Sequence, residues 1–258
     1  MKKISGLSIG AACTALFAFT SVSAQQQPAP PATLPVELFI CNFQPGNDFG
    51  DLQGANDDFN EWADANGLTE VSSYLLTPVF HSDELGADVI GMDIWNSGEA
   101  MGNGVASIMA DPDSVAGYDD VLDCGAHQLF VLVGTKPPSE GLLTDGTLFQ
   151  FTNCTLMDNR NGGDAIRAAR AWGNATAGAG ITDAQALLFP AAGESGSADY
   201  SFKWITATQS MRAFGRSIDQ FLSGGLIQAR ANITRDVMTC DSQRVYSTTV
   251  IRQSEAND

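Results

Sequence analysis

Apolar residues recur along this chain in two rhythms. In short runs they take every second position, and in longer ones every third or fourth. The first rhythm predicts half-buried strands and the second amphipathic helices. Val36-Glu37-Leu38-Phe39-Ile40-Cys41-Asn42-Phe43 predicts a strand over 36–43. A Gly- and Asp-rich loop follows, through Pro45, Gly46 and Gly50. Phe59, Trp62 and Ala63 fall at i, i+3 and i+4. They predict a helix over about 57–66, capped by Asn56 or Asp57 and ended by Asn66-Gly67. Strands are predicted over 72–81 and 88–96. A second helical region opens at Ser97 or Gly98 and runs through Met101, Val105, Ile108 and Met109. It breaks at Asp111-Pro112 and continues over 114–122. Cys124 follows, then a strand over 127–133. The order is β-α-β-β-α-β.

The order then repeats. Leu148 to Thr155 predicts a strand, and Asn161-Gly162-Gly163 a loop. Ile166, Ala169, Arg170 and Trp172 lie on a helix over 164–173. Strands are predicted over 184–190 and 200–206. A helical region follows with Met211, Phe214, Ile218 and Phe221, interrupted by Gly224-Gly225 before Leu226 to Val237. Cys240 precedes a last strand over 244–251. Four landmark pairs recur at a nearly constant offset: Trp62 and Trp172, Pro78 and Pro190, Cys41 and Cys154, Cys124 and Cys240. Such self-similarity is the mark of an internal duplication. The predicted fold is α+β, with two tandem ferredoxin-like units over 36–140 and 141–258.

The start of the chain reads as a targeting segment. Lys2 and Lys3 form a charged region, Leu7 to Phe19 an apolar one, and Val22-Ser23-Ala24 a cleavage site. Residues 1–24 are therefore expected to be a signal peptide that takes Cys13 with it. The Gln- and Pro-rich stretch 25–35 is expected to be a disordered linker. The mature chain holds no run long enough for a membrane span. A periplasmic or secreted protein is expected.

Net charge is −17. Within 25–140, Lys136 is the only Lys or Arg among nineteen Asp and Glu, whereas 141–258 is nearly balanced. An acidic chain repels phosphate backbones, which excludes nucleic acid as a partner. Asp48, Asp51, Asp57 and Asp58 crowd one region, and Asp111, Asp113, Asp119 and Asp120 another. Neither has the spacing of a calcium loop, and no Cys-x-x-Cys occurs, so no metal site is expected. An export route makes disulfides the natural use of the four remaining cysteines. In a β-α-β-β-α-β sheet the first and last strands are neighbours. The repeat therefore favours Cys41–Cys124 with Cys154–Cys240. The pairing Cys41–Cys154 with Cys124–Cys240 is the alternative.

Candidate chemistry is sparse. Asp93 sits mid-strand on the face it shares with Trp95. Turned inward it would be a carboxylate with a raised pKa and a candidate base; turned outward it is a solvated strand residue. His81 ends a strand and His127 begins one, where a lone histidine reads first as a surface or hydrogen-bonded residue. Lys203, beside Trp204, would pair with an acid or face water. Trp62, Tyr74, Trp95, Trp172 and Trp204 are candidate walls of a ligand pocket, or simply packing between helix and sheet.

The tandem element order, Trp95-Asn96-Ser97-Gly98-Glu99-Ala100-Met101 as a strand-to-helix passage, and the helix broken at Asp111-Pro112-Asp113 resemble the dimeric α+β barrel superfamily. This superfamily includes the antibiotic-biosynthesis monooxygenase, EthD-like and NIPSNAP groups. The resemblance covers most of 36–252. It implies an intrachain barrel, a monomer whose two halves mimic a dimer. It also implies a pocket between sheet and helices and, in some members, cofactor-free oxygenation. Asn42 and Trp95 fall on the elements that carry an Asn and a Trp in a haem-degrading branch. The histidine of that branch has no counterpart between Ser97 and Leu122, so no cofactor is expected. Weak catalytic candidates are Asn42, His81 and Asp93. The leading functional expectation is an exported protein that binds a small apolar or aromatic molecule in a barrel pocket. An oxygenase or isomerase-type enzyme comes second, and a structural or interaction module third.

Overall fold

A computed structural model describes residues 33–82, 86–139, 141–194 and 198–254. The predicted signal peptide and all but the end of the predicted linker lie outside the described residues. In the first half, β1 (Thr33–Phe43), α1 (Phe49–Ala65), β2 (Val71–Phe80) and β3 (Val89–Trp95) follow in order. α2 (Gly98–Ala110), a 3-10 turn (Pro112–Val115), α3 (Ala116–Val121) and β4 (Leu122–Lys136) complete it. The second half contains β5 (Leu148–Leu156), α4 (Gly162–Gly178), β6 (Ala184–Ala192) and β7 (Phe202–Thr208). It ends with α5 (Met211–Ser223), α6 (Leu226–Thr234), the short β8 (Met238–Cys240) and β9 (Arg244–Arg252).

The strands close into a ring of antiparallel pairs in the order β4-β1-β3-β2-β9-β5-β7-β6, with β6 returning to β4 and β8 attached to β5. The first four strands belong to one half and the next four to the other. Each half is a ferredoxin-like sheet, and the seams β2–β9 and β4–β6 join equivalent edges in opposite senses. Closure removes the two free edges that each half would present alone.

Three boundaries differ from the sequence expectation. β1 begins inside the stretch predicted as a linker, because Thr33, Leu34 and Pro35 pair with Val133, Leu132 and Val131 of β4. Pro35 is tolerated because the pairing of β1 with β3 begins only at Val36, so its missing N–H breaks no bond on that side. α1 starts eight residues before the predicted helix. Asp48 caps it, accepting from the Gly50 N–H while the Asp51 carboxylate accepts from the Asp48 N–H. The acidic loop is thus a helix start, where carboxylates meet the positive end of the helix dipole. α4 is likewise longer than predicted, with the same reciprocal cap made by Asn161 and Asp164.

Alternation along the strands sorts side chains onto two faces. Val36, Leu38, Tyr74, Met92, Phe130, Phe149, Phe151, Leu188, Ile205 and Tyr246 point into the ring and pack as one core. Leu142, from the segment joining the halves, adds to this core. The expected barrel pocket is therefore occupied by side chains. On the outer faces, separate clusters pack under α1 and α2 and under α4 and α6. Disulfides join Cys41 to Cys124 and Cys154 to Cys240, each between partners in strand register.

Candidate functional site

The outer face of the first half carries a linked set of ionisable residues. β1 places Glu37 on that face, because Val36 and Leu38 on either side point into the barrel. Across the ladder Glu37 is opposite Asp93 of β3, and Asp93 is opposite Ser73 of β2. His127 of β4 lies opposite Phe39, one pleat along. Three strands thus bring two carboxylates and an imidazole together although they lie far apart in sequence.

Glu37 is only 6% exposed, and both its oxygens are used. Trp95 Nε1 donates to Oε2 at 2.7 Å, and His127 Nε2 lies 2.7 Å from Oε1. Trp95 is held in turn by the close approach of α2. A Cβ at Gly104 would collide with the indole ring and with Leu68, so α2 can press on Trp95 only because this position is glycine. The His127 ring stacks on Phe39 with centroids 4.2 Å apart. Its side chain is 54% exposed, and among the described residues Nδ1 has no hydrogen-bond partner. The site is therefore a buried carboxylate that orients a solvent-facing imidazole.

Electrostatics couple the members. The hydrogen bond to Glu37 holds His127 above the ordinary imidazole range; partial burial opposes it, and the charges of Glu37 and Asp93 reinforce it. Burial pushes Asp93 up to about 6, with Ser73 donating against the shift and Glu37 adding to it. Tyr118 of α3, half-buried and near Asp93, is raised as well by its loss of solvent, and its hydroxyl donates to Asn56 Oδ1 at 2.9 Å. Chemically, His127 can take a proton at Nδ1 while Glu37 stabilises the imidazolium.

Of the residues singled out in sequence, Asp93 and Trp95 fall in this set, and so does His127, which the sequence offered first as a surface or hydrogen-bonded histidine. Asn42 is exposed and accepts from the Asp88 N–H at 3.2 Å. It borders an open cleft of about 530 Å³ with Phe43, Tyr118, Asp123 and Cys124. His81 lies just beyond β2, with Nδ1 3.2 Å from Ser82 O. The five candidate aromatic walls do not converge. Tyr74 belongs to the barrel core, Trp62 and Trp95 to the cluster under α1 and α2, and Trp172 and Trp204 to the cluster under α4 and α6. Glu37 drew no attention in the sequence. The available signal was a lone carboxylate between apolar residues in a strand, at the position where the second half carries Gln150.

The sequence matches no protein-family model and no curated protein. Solved structures do match. A provisionally named monooxygenase from Fusobacterium nucleatum superposes with a TM-score of 0.55 at 13% identity, covering 89% of this chain and 96% of that one. One from Lactobacillus acidophilus gives 0.52 at 10% identity, covering 85% and 97%. An anthrone oxidase-like protein gives 0.50 at 14% identity, covering 88% and 96%. Among the described residues no helix is long and apolar enough to cross a membrane. Similarity at this identity speaks for architecture. The chain has the dimeric α+β barrel fold, with one polypeptide supplying both halves of the barrel.

Proposed function

We propose that this is an exported, cofactor-free enzyme that removes a proton from a small apolar or aromatic molecule. The observation that carries the proposal is the Glu37–His127 pair: a buried carboxylate holds one ring nitrogen and leaves the other open to solvent. Phe39, stacked on the ring, and Leu129 and Val131, on the same face of β4, supply an apolar surface beside it. Substrate binding is thus assigned to the outer face and not to the filled barrel. His127 acts as general base, Glu37 fixes its orientation, and Asp93 adds a negative field that favours the imidazolium. Loss of a proton next to a carbonyl yields a carbanion, the shared first step of isomerisation and of cofactor-free oxygenation. Export is supported by the signal-like start and by the two disulfides.

The test is hydrogen–deuterium exchange at activated C–H positions, followed by NMR in heavy water. The panel comprises anthrones, naphthols and fused cyclic ketones. Exchange faster than the buffer rate is expected for at least one compound, rising with pH as His127 loses its proton. His127→Ala is expected to slow it by about a hundredfold or more. Buffer-rate exchange across the whole panel, or an unaffected His127→Ala variant, removes the proposal.

A further inference from the structure

α5 turns much of its apolar side to solvent. Ala213 is its one fully buried residue. Gln220 and Phe221 flank Ala213 on the inner side. Gln220 Nε2 donates to Ala179 O at 3.0 Å, and the Phe221 ring meets Trp172 edge-on. A helix turns about 100° per residue, so the line opposite Ala213 runs through positions 211, 215, 218 and 222. That line holds Met211, Gly215, Ile218 and Leu222. All four are exposed, the three larger ones at 45, 43 and 64%. Steps of four, three and four residues are those of a coiled-coil seam. The apolar surface continues past Phe214, whose ring stacks on the exposed Phe80 at the end of β2 with centroids 6.2 Å apart.

The line is complementary to itself. Laid antiparallel on a second α5, Met211 meets Leu222, and in the same register Gly215 meets Ile218. A Cβ at Gly215 would touch nothing within 4 Å, so nothing inside the chain asks for glycine there. A second helix does, because the gap over Gly215 takes the bulk of the opposing Ile218. Charge agrees with shape. Arg212 and Asp219 lie seven residues apart on one flank of the line. The antiparallel register brings each Arg212 beside Asp219 of the second copy. Among the described residues neither makes an ion pair within the chain. The first half offers no such face. Ser97 and Ser210 cap α2 and α5 alike. The matching line on α2 is Gly98, Gly102, Val105 and Met109, with Glu99 in place of Arg212 and Ala106 in place of Asp219.

We infer that α5 is a self-docking helix: two copies of this chain pair antiparallel along Met211, Gly215, Ile218 and Leu222, with Arg212 of each beside Asp219 of the other. The contact is isologous, so it closes at two copies. An anionic membrane is the poorer occupant, because the chain carries a net charge of −17 and the flank of the line carries Asp219. One helix pair buries less than a standard interface, which makes the dimer weak and readily exchanged.

Sedimentation of the disulfide-bonded protein over a concentration series tests this. Half-dimerisation is expected at about 10–100 µM. Leu222→Glu should raise that concentration about tenfold or more, while Met109→Glu on α2 leaves it unchanged. Arg212→Asp should raise it about threefold or more, and adding Asp219→Arg should restore it, since the swapped charges meet again only across the two copies. Orientation has its own readout. Met211→Cys protein mixed with Leu222→Cys protein should cross-link on mild oxidation. Met211→Cys alone should not, because an antiparallel pair holds those two positions about 16 Å apart along the axis. A chain still monomeric at about 1 mM overturns the inference. So does a dimer indifferent to Leu222→Glu, a cross-link in Met211→Cys alone, or a monomer that pellets with phosphatidylglycerol vesicles through α5.

Discussion

The two halves share one frame and differ in the charge they hold on its outer face. Both have a reciprocally capped first helix, both have a disulfide that starts on the first strand, β1 to β4 in one half and β5 to β8 in the other, and their strand registers correspond. The registers align Glu37 with Gln150, Asp93 with Thr206, Ser73 with Gln185 and Trp95 with Thr208. In the first half an indole N–H donates to a carboxylate, which also binds an imidazole. In the second, Gln150 Nε2 donates to Thr208 Oγ1 at 2.7 Å, and both partners are uncharged. The same backbone ladder thus carries an ionisable set on one side and a neutral Gln150–Thr208 hydrogen bond on the other. A neutral amide needs only hydrogen bonds when buried, whereas a buried carboxylate also needs compensating charge or donors. The second half meets that expense with an ammonium, Lys136, at Asp183, whereas the first half meets it with an imidazole and an indole at Glu37; the proposed assignment of the working face rests on this contrast.

Four changes break or sharpen the comparison, in falling order of effect. His127→Ala should lower C–H exchange by about two to four orders of magnitude, while Gln150→Ala leaves it unchanged once folding is verified. Equal losses from both would make the halves equivalent and end the assignment. The shared frame is tested by removing the disulfides. Cys41→Ala with Cys124→Ala, and Cys154→Ala with Cys240→Ala, should each cost about 2–5 kcal/mol in urea unfolding. The two costs should nearly match, because loop lengths of 83 and 86 enter only logarithmically. Gln150→Glu makes the second half resemble the first without its histidine. The new carboxylate is buried and, among the described residues, takes over a side-chain position bonded to the Thr208 hydroxyl, so about 1–3 kcal/mol should be lost at neutral pH and largely regained near pH 5.

The smallest effect concerns Asp93. Its folded pKa, raised to about 6, means that folding favours the protonated acid. The associated stability is fully present below the unfolded carboxylate range and is lost as pH rises through about 6. Asp93→Asn should therefore add about 1–2 kcal/mol above that pH and little near pH 4, read as Tm against pH. A variant less stable than the parent at neutral pH would mean that Asp93 is held as a compensated carboxylate. His127 works in the opposite direction for activity. Its raised pKa shifts the onset of base catalysis to higher pH, and Glu37→Gln should bring that onset down while lowering the maximal rate.

Much of the frame was legible in the chain. Strands announced themselves by alternation at 36–43, 72–81, 88–96 and 148–155, and the duplication appeared as a constant offset between paired Trp, Pro and Cys residues. The cysteine pairing followed, because register in a β-α-β-β-α-β sheet is set by element order. Helix starts were less legible. Asp48 and Asp51 read as loop residues beside Gly46 and Gly50, although the same carboxylates cap α1. The site was scarcely legible. His127 read as a strand-end residue, and Glu37 as one polar position in an apolar strand.

Local sequence, then, determined which segments became strands and helices, their order and their repetition, because these depend on periodicity and on neighbours along the chain; it favoured one cysteine pairing, which strand register then fixed. Tertiary structure alone decided which face of each strand turned inward. That choice filled the barrel with Tyr74, Phe130, Phe149 and Tyr246, split the tryptophans between two helix layers, and set Glu37, Asp93 and His127 side by side. Ring closure settled it. Once β2 met β9 and β4 met β6, one face of every strand was committed to the apolar core, and Glu37, Asp93 and His127 fell on the other; Lys203, over the Phe130 ring, is a charge kept on the inner face.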